Sequence, residues 1–297
     1  QVLKTSLEAN CHYMDICDDW EPTEKMLELN DIAKEKNLLA LLGLGASPGI
    51  TNLLGRIAID HLDIAHTIYT GWNLEEAQPE PISSQKETNA AMIHGIEQIT
   101  GKVKVLKGGK FEMVNPLEEL KVSYPNIGTY SAFIFGHPEA ITFPYHFKDL
   151  LNSINLAHGN KSTIFVLKIM RKLINLKILT KKTAARFLEW LEKKGTSRKY
   201  TESTSLPEIY ALAIGFKNGK EECVGVSLDG EPSRELTMGE ATGYPLSLGF
   251  KMFLNNEITE RGVIAPESKC IDHKKLLMEI YELFGMKDAK IKVNKSW

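Results

Sequence analysis

Cysteines, long apolar runs and an excess of one charge are all scarce in this sequence, and each shortage excludes a class of protein. The 297 residues include four scattered cysteines, none of them in a C-x-x-C pair, so neither a zinc ribbon nor a redox dithiol is predicted. The longest apolar runs, such as residues 38–44, are far too short to span a bilayer, and no secretory signal pattern opens the chain. We therefore predict a cytoplasmic protein with free thiols, no metal site and no membrane partner.

The charges nearly cancel. The chain has 36 basic and 38 acidic residues, a formal net charge of −2, which leaves no electrostatic footprint for nucleic acid. Ten lysines and arginines do cluster between residues 161 and 194, against two glutamates. We interpret them as the solvated face of a helical block rather than a nucleic-acid or anionic-lipid patch, because lysine stems also cover apolar surface. The expected partner is therefore a small molecule.

What is present is an ordinary globular composition, 43% hydrophobic and 25% charged, in a chain long enough for about two domains. An apolar run at 38–44 directly follows a helix predicted from Pro22 to Asn37. This order is typical of a parallel strand buried on both faces. Gly45 then lies at the carboxyl end of that strand, where doubly wound sheets bind ligands, and a further helix is predicted over 52–62.

The middle of the chain predicts a second, mixed or antiparallel sheet. Gly108-Gly109 and Asn218-Gly219 are tight-turn signals between short β-rich runs. The predicted strands are 66–72, 102–106, 110–114, 131–136, 208–216 and 221–228. The block from 161 to 194 is predicted to be helical, with an apolar stripe that includes Ile164, Leu167, Ile169 and Leu176. Helices at 243–256 and 273–284 and a short strand at 289–293 complete the prediction.

The densest motif is Gly43-Leu44-Gly45-Ala46-Ser47-Pro48-Gly49-Ile50-Thr51-Asn52, between the buried strand and the following helix. It is not a P-loop, because no lysine follows its last glycine. A variant dinucleotide fingerprint is a second interpretation, although its spacing is G-x-G-x-x-x-G and Pro48 removes one amide that could face a phosphate.

A third interpretation makes the same motif a loop that lines the substrate and the nicotinamide edge. Its glycines would let the backbone approach a ligand, and Ser47, Thr51 and Asn52 would supply hydrogen bonds. The plain alternative is a strand-to-helix turn capped by Thr51 or Asn52. The residues alone leave these interpretations open.

Several motifs in a fixed order resemble the saccharopine dehydrogenase-like family. They are a Tyr-x-Asp strand, the Gly-rich loop, a His-to-Gly segment, a Gly-His-Pro-Glu tetrapeptide and two C-terminal segments. In this sequence they read HYMD at 12–15, LGLGASPGITN at 42–52, HGIEQITG at 94–101, GHPE at 136–139, TGYP at 242–245 and RGVIAPE at 261–267. The resemblance covers most of the chain.

The resemblance implies an oxidoreductase that uses NAD or NADP and acts on the C–N bond of an amino acid or an amino-acid-derived secondary amine, as saccharopine, lysine and carboxynorspermidine dehydrogenases do. The implied fold is α/β. Residues 1–56 form the trailing part of a Rossmann-type parallel-sheet domain, residues 57–238 form an α+β substrate and dimerisation domain, and residues 239–297 return to the nucleotide domain. A homodimer is also implied.

The sequence begins with Gln1, which is not a methionine and lies inside a predicted helix. We therefore expect an upstream Rossmann half to be missing and this chain alone to be inactive.

Site residues follow from the same resemblance. Proton transfer is assigned to three residues, His94, His137 and Asp15. Contact with the substrate is assigned to Cys17, Ser47 and Glu139. Contact with the cofactor is assigned to Tyr13, Gly45, Pro48, Gly49, Thr51 and Asn52.

One departure from the family's sequence pattern leaves other functions open. Ser47 stands where the family usually has an aspartate before Pro-Gly, and a serine cannot carry charge near neutral pH. Either the substrate differs from saccharopine, or Asp15 supplies the charge. One alternative is a non-catalytic dimeric relative or small-molecule binder with a degenerate site. Another is a different NAD(P) enzyme that uses the 43–49 turn for pyrophosphate.

Overall fold

A computed structural model describes residues 1–75, 90–194, 205–230, 236–286 and 288–297. Across these ranges the chain forms a small parallel sheet and a large mixed sheet with helices packed between and around them. No helix within them is both long and apolar enough to cross a bilayer.

The elements alternate along the chain. The helices are α1 (Val2–Glu8), α2 (Trp20–Leu27), α3 (Asn30–Glu35), α4 (Ile50–Ile59), α5 (Ala90–Gln98), α6 (Glu139–His146), α7 (Lys161–Asn175), α8 (Lys181–Lys194), α9 (Met238–Leu254) and α10 (His273–Leu283). The strands are β1 (Tyr13–Met14), β2 (Leu39–Leu41), β3 (Ile64–Asn73), β4 (Val103–Lys107), β5 (Lys110–Val114), β6 (Glu119–Tyr124), β7 (Gly128–Ile134), β8 (Asn152–His158), β9 (Ile209–Lys217), β10 (Lys220–Asp229), β11 (Gly262–Ile264) and β12 (Lys290–Lys295).

The small sheet has the order β1-β2-β11 and is parallel throughout. Its central strand β2 is completely buried, which confirms the parallel strand predicted from the apolar run. Ala40 pairs with Tyr13 on one side and with Val263 on the other. The third strand, β11, was not predicted. It is three residues long and comes more than 200 residues after β2, its partner in the sheet, so no local sequence pattern indicates a strand there.

The large sheet is mixed, as predicted. Its order is β12-β10-β9-β3-β8-β4-β5, with β7 added to β8 and β6 added to β7. β3 and β8 are parallel, and its other pairs are antiparallel. Both predicted hairpins form, with positive φ at Gly108 (57°), Gly109 (77°), Asn218 (51°) and Gly219 (76°), as a type I′ turn requires.

Several sequence-based boundaries were wrong. The helix predicted over 22–37 is two helices, α2 and α3, and the block at 161–194 is likewise two, α7 and α8. In α7 the buried face contains Ile164, Leu167 and Met170, whereas Ile169 is 43% exposed. The predicted stripe also included Leu176, which lies after the end of α7 and is 59% exposed.

Helix α4 joins the cores of the two sheets. Nine of its ten residues are buried, all except Arg56. Its leucines and isoleucines share one apolar cluster with Leu41 of the small sheet and with Ala213 and Val224 of the large one. The loop that precedes α4 is therefore held at the junction of the two sheets, which is where the predicted site residues lie.

A glycine in β3 tests the packing of the large sheet. A Cβ at Gly71 would lie 2.3 Å from two ring carbons of Tyr210, a fully buried side chain. We expect Gly71→Ala to lower the free energy of unfolding by about 1–3 kcal/mol, because an overpacked core must shift. Urea unfolding measures this. Gly95→Ala is the control, since a Cβ at this helical position meets nothing within 4 Å. Equal stability of the Gly71 and Gly95 variants would contradict the packing described.

Candidate active site

The loop between β2 and α4 uses its own amides internally. Gly45 N donates to the Pro48 carbonyl (2.9 Å), Ile50 N to the Gly45 carbonyl (3.0 Å) and Gly49 N to Asn52 Oδ1 (2.8 Å). Thr51 N donates to the Ala46 carbonyl at 3.1 Å. The Ser47–Pro48 peptide is cis.

The glycines of this loop serve its tight turn. Gly49 has φ +128°, and a Cβ there would lie 1.9 Å from the Gly45 carbonyl oxygen, so no other residue fits. Gly43 has φ +67°, and its amide donates to Asp15 Oδ1 at 2.7 Å. A pyrophosphate would need these amides free. The loop geometry therefore argues against the dinucleotide-fingerprint interpretation and favours a loop that presents side chains.

Glu139, at the start of α6, is the centre of the site. It is 1% exposed. Its Oε1 accepts hydrogen bonds from Ser47 Oγ (2.7 Å), Thr51 Oγ1 (2.8 Å) and Asn155 Nδ2 (3.0 Å). Its Oε2 has no hydrogen-bond partner among the described residues. One buried carboxylate thus ties the loop of the small sheet to β8 of the large sheet and keeps one oxygen unshared.

A second buried carboxylate supports the same loop from behind. Glu267 is fully buried, and its Oε2 accepts from Asn52 Nδ2 at 2.7 Å. The same Asn52 nitrogen lies 3.3 Å from Thr142 Oγ1. Because Asn52 and Thr51 are completely buried and bonded to carboxylates, their side chains hold the loop in place.

His137 lies beside Glu139 in an aromatic setting. Its ring is stacked on Trp72, with centroids 5.6 Å apart and planes at 17°, and meets Phe135 edge-on. Nδ1 is 3.1 Å from Ser47 Oγ and 3.9 Å from Glu139 Oε2. Ser47 is half-buried, whereas His137 and Glu139 are buried. Ser47 is therefore the end of this group that a ligand can reach.

A charged pair continues the network toward solvent. His94 Nε2 is 2.7 Å from Asp18 Oδ1, and this hydrogen bond raises the pKa of His94 to about 9, against the opposing effect of burial. Burial works to raise the pKa of Asp18, but the hydrogen bond from His94 and the positive charge of His137 and His94 outweigh it, so its pKa lies below the ordinary value. Gln98 links Asp18 to the Nε2 atom of His137.

The remaining predicted residues lie on the other side of the loop. Asp15 accepts from the amides of Gly43 and Cys17, and burial raises its pKa. No hydrogen bond among the described residues joins it to Ser47. Cys17 lies beside Thr23 and the Asp19 carbonyl, and burial raises the pKa of its thiol. Tyr13 borders a cavity of about 420 Å³ between β1 and α9.

The structure thus brings Ser47, Thr51, His137 and Glu139 together and connects His94 through Asp18 and Gln98. Sequence reasoning missed Asp18, Gln98 and Asn155. Gln98 was inside the quoted segment 94–101, where its polar side chain on a helix gave a weak signal. Asn155 gave no signal, because it interrupts the apolar pattern of β8 and its hydrogen-bond partner on the neighbouring strand, Thr70, is 85 residues away.

No protein-family model matches the chain. Among curated proteins it is similar to carboxyaminopropylagmatine dehydrogenase of Synechocystis, with 25% identity over 146 residues. The match covers 46% of this chain and 36% of that protein's length. Among solved structures it is similar to apo saccharopine dehydrogenase (L-Glu forming) of Saccharomyces cerevisiae, with a TM-score of 0.58 and 12% identity over 100% of this chain and 82% of that one.

The chain has a saccharopine dehydrogenase-like fold. The predicted fold class, α/β with a parallel and a mixed sheet, is confirmed. The two comparisons together support the resemblance to the saccharopine dehydrogenase-like family that the motifs indicated.

The Asp18–His94 pair makes stability depend on pH. Because the pKa of folded His94, about 9, exceeds the ordinary 6.5, its stabilisation is complete below pH 6.5 and is lost as the pH rises through 9. We expect Asp18→Asn to move the NMR titration of His94 back toward 6.5. The stability difference between wild type and this variant should shrink between pH 6.5 and 9.

Asp60→Asn is the control for this experiment. Asp60 pairs with Arg56 at 2.7 Å, so its loss should leave the His94 titration unchanged. A wild-type His94 that titrates near 6.5 would contradict the pairing.

Proposed function

We propose that the protein is an oxidoreductase that uses NAD or NADP and acts on the C–N bond of an amino acid or an amino-acid-derived secondary amine. The observation that carries this proposal is Glu139. It is a buried carboxylate with one oxygen unshared, directly behind the half-buried Ser47 hydroxyl. A buried carboxylate favours a cationic partner, because an unpaired charge away from water is costly. An ammonium group bound at Ser47 Oγ would be separated from the Glu139 carboxylate by one hydrogen bond, the one between Ser47 and Glu139.

The chemistry needs a proton acceptor beside the amine. Nicotinamide, when bound, supplies the hydride acceptor. Ser47 orients the amine nitrogen through its oxygen, and Glu139 stabilises its positive charge. His137 Nδ1, 3.1 Å from Ser47 Oγ, takes the amine proton, the general-base role that histidine most often has in enzymes. Trp72 and Phe135 keep water from the ring.

The small sheet is the proposed nucleotide-binding side. Residues 1–56 and 239–297 contribute its three parallel strands and α9, consistent with part of a Rossmann-type domain. Within the described residues, β1 pairs on one side only, and the cavity between β1 and α9 lies beside it. Further strands of a nucleotide domain would add at this edge. Four residues are proposed to face the cofactor, namely Tyr13, Gly45, Pro48 and Gly49. Thr51 and Asn52 are proposed to contribute to cofactor binding indirectly, by holding the loop in place.

Other assignments remain predictions. Asp15 and His94 are proposed to assist proton transfer, and Cys17 to lie near the substrate. Residues 57–238 are the proposed substrate and dimerisation domain, and β12 from the C-terminal segment adds to its sheet by pairing with β10. A cytoplasmic homodimer is expected. A binding protein with a degenerate site is the second candidate, favoured by Ser47 because a hydroxyl carries no charge.

An activity screen of the full-length protein tests the proposal. Amino acids and polyamine-derived secondary amines are each assayed with NAD⁺ and NADP⁺ for reduced nicotinamide. We expect activity with at least one amine, and we expect Glu139→Gln to raise its KM by about 10-fold or more, since charge-assisted hydrogen bonds contribute about 1.5–3 kcal/mol. Glu112→Gln, on the exposed face of β5, should leave KM unchanged. Absence of turnover with saturable amine binding would favour the degenerate binder.

The 297 residues by themselves should bind NAD(P)H weakly or not at all. The reason is that the amides of Gly43, Gly45 and Gly49 already donate hydrogen bonds within the protein, so they are not available to a pyrophosphate. Calorimetric titration of the isolated chain with NADH and NADPH measures this. Tight binding by the isolated chain would refute the division of the nucleotide site proposed above.

A further inference from the structure

Gln98 joins two parts of the site through opposite ends of one side-chain amide. It lies at the end of α5 and is 7% exposed. Its Nε2 is 3.1 Å from Asp18 Oδ2 and 3.2 Å from the Asp18 carbonyl oxygen. Its Oε1 is 3.1 Å from His137 Nε2.

The Asp18 end decides which way the amide faces. A carbonyl oxygen and an ionised carboxylate accept hydrogen bonds and donate none. Two acceptors at one end therefore require the NH2 group there, and they exclude the flipped amide. Asp18 stays ionised because its other oxygen is bonded to His94 at 2.7 Å, whose hydrogen bond holds the pKa of Asp18 down against burial.

The orientation of the Gln98 amide then determines which nitrogen of His137 carries the hydrogen. The oxygen of Gln98 faces Nε2, and an oxygen can bond that nitrogen only if the nitrogen carries a hydrogen. In the neutral ring the single hydrogen is thus on Nε2. Nδ1 keeps its lone pair toward Ser47 Oγ, 3.1 Å away, and competes with Glu139 Oε1 for the one hydrogen of that hydroxyl. The hydrogen-bonding partners at both nitrogens fix the ring orientation, because a ring turned over would place carbon atoms against Ser47 and Gln98.

We propose that Asp18 and Gln98 are positioning residues that hold neutral His137 as the Nε2–H tautomer, so that Nδ1 is the nitrogen that accepts the proton at Ser47. This inference rests on the proposed function only for its catalytic meaning. The tautomer itself is a property of the chain without cofactor or substrate. Neither Asp18 nor Gln98 touches the reacting atoms, since both act through His137.

NMR of protein labelled with ¹⁵N in its histidines tests the inference directly. In wild type, two-bond correlations should show His137 with a protonated Nε2 and an unprotonated Nδ1 at a pH where the ring is neutral. Gln98→Met removes the acceptor and should give a mixture of tautomers. If Gln98→Met folds poorly, the tautomer measured in the wild-type protein decides the inference by itself.

Glu97→Met is the matched control on the same helix. Glu97 pairs with Lys181 at 3.1 Å, and no hydrogen bond among the described residues joins its side chain to His137, so the tautomer should not change. An Nδ1–H tautomer or a mixture in wild type overturns the inference, and so does an unchanged tautomer in a folded Gln98→Met protein.

An activity arm separates this inference from the proposed function. If the amine assay succeeds, Gln98→Met should lower kcat with little change in KM, in proportion to the fraction of His137 that NMR finds in the Nδ1–H form. The loss is about 2-fold for an equal mixture, because only the Nε2–H form can accept a proton at Nδ1. If the assay shows no turnover, the proposed function fails while the NMR result still decides the tautomer.

Discussion

The carboxylate of Glu139 is the interaction on which the arrangement of the two sheets depends. Removed from water, a carboxylate must be met by donors, or its burial costs several kcal/mol. Its donors come from three elements, namely the loop after β2, the first turn of α4 and strand β8. Satisfying one charge therefore fixes the loop of the small sheet against the face of the large sheet.

The buried charge also explains why the loop is so tightly constrained. Ser47 and Thr51 can both reach Glu139 only if the chain reverses within a few residues. Gly49 makes that reversal possible, because its φ and its contact with Gly45 leave no room for a Cβ. The glycines that resembled a phosphate-binding fingerprint thus serve the placement of two hydroxyl groups.

Much of the fold follows from local patterns, and the site follows from them only in part. The run at 38–44 predicts a buried strand because a short apolar run directly after a helix is typical of a parallel strand buried on both faces. Asn218-Gly219 predicts a hairpin because both residues tolerate positive φ. β8 escaped prediction because Asn152, Asn155 and His158 break its apolar pattern.

These polar residues are nevertheless compatible with a core strand, since each has a partner. Asn152 donates to Thr67, Asn155 donates to Thr70, and His158 bonds the Pro207 carbonyl. Their partners are 49 to 85 residues away. Similarly, the GHPE tetrapeptide pointed to His137 and Glu139, but nothing local in the sequence joins them to Gln98 or Asn155. Side-chain hydrogen bonds between distant elements carry no periodicity.

The position of one hydrogen atom connects these observations to chemistry. The Ser47 hydroxyl has a single hydrogen, while Glu139 Oε1 at 2.7 Å and His137 Nδ1 at 3.1 Å can both accept it. When Nδ1 gains a proton, it donates to Ser47 and directs the serine hydrogen to Glu139. When Nδ1 is bare, the two acceptors compete. In the proposed reaction, a proton taken from a ligand at Ser47 is therefore held at His137 by the reorientation of one hydroxyl, next to the buried side chains of His137 and Glu139.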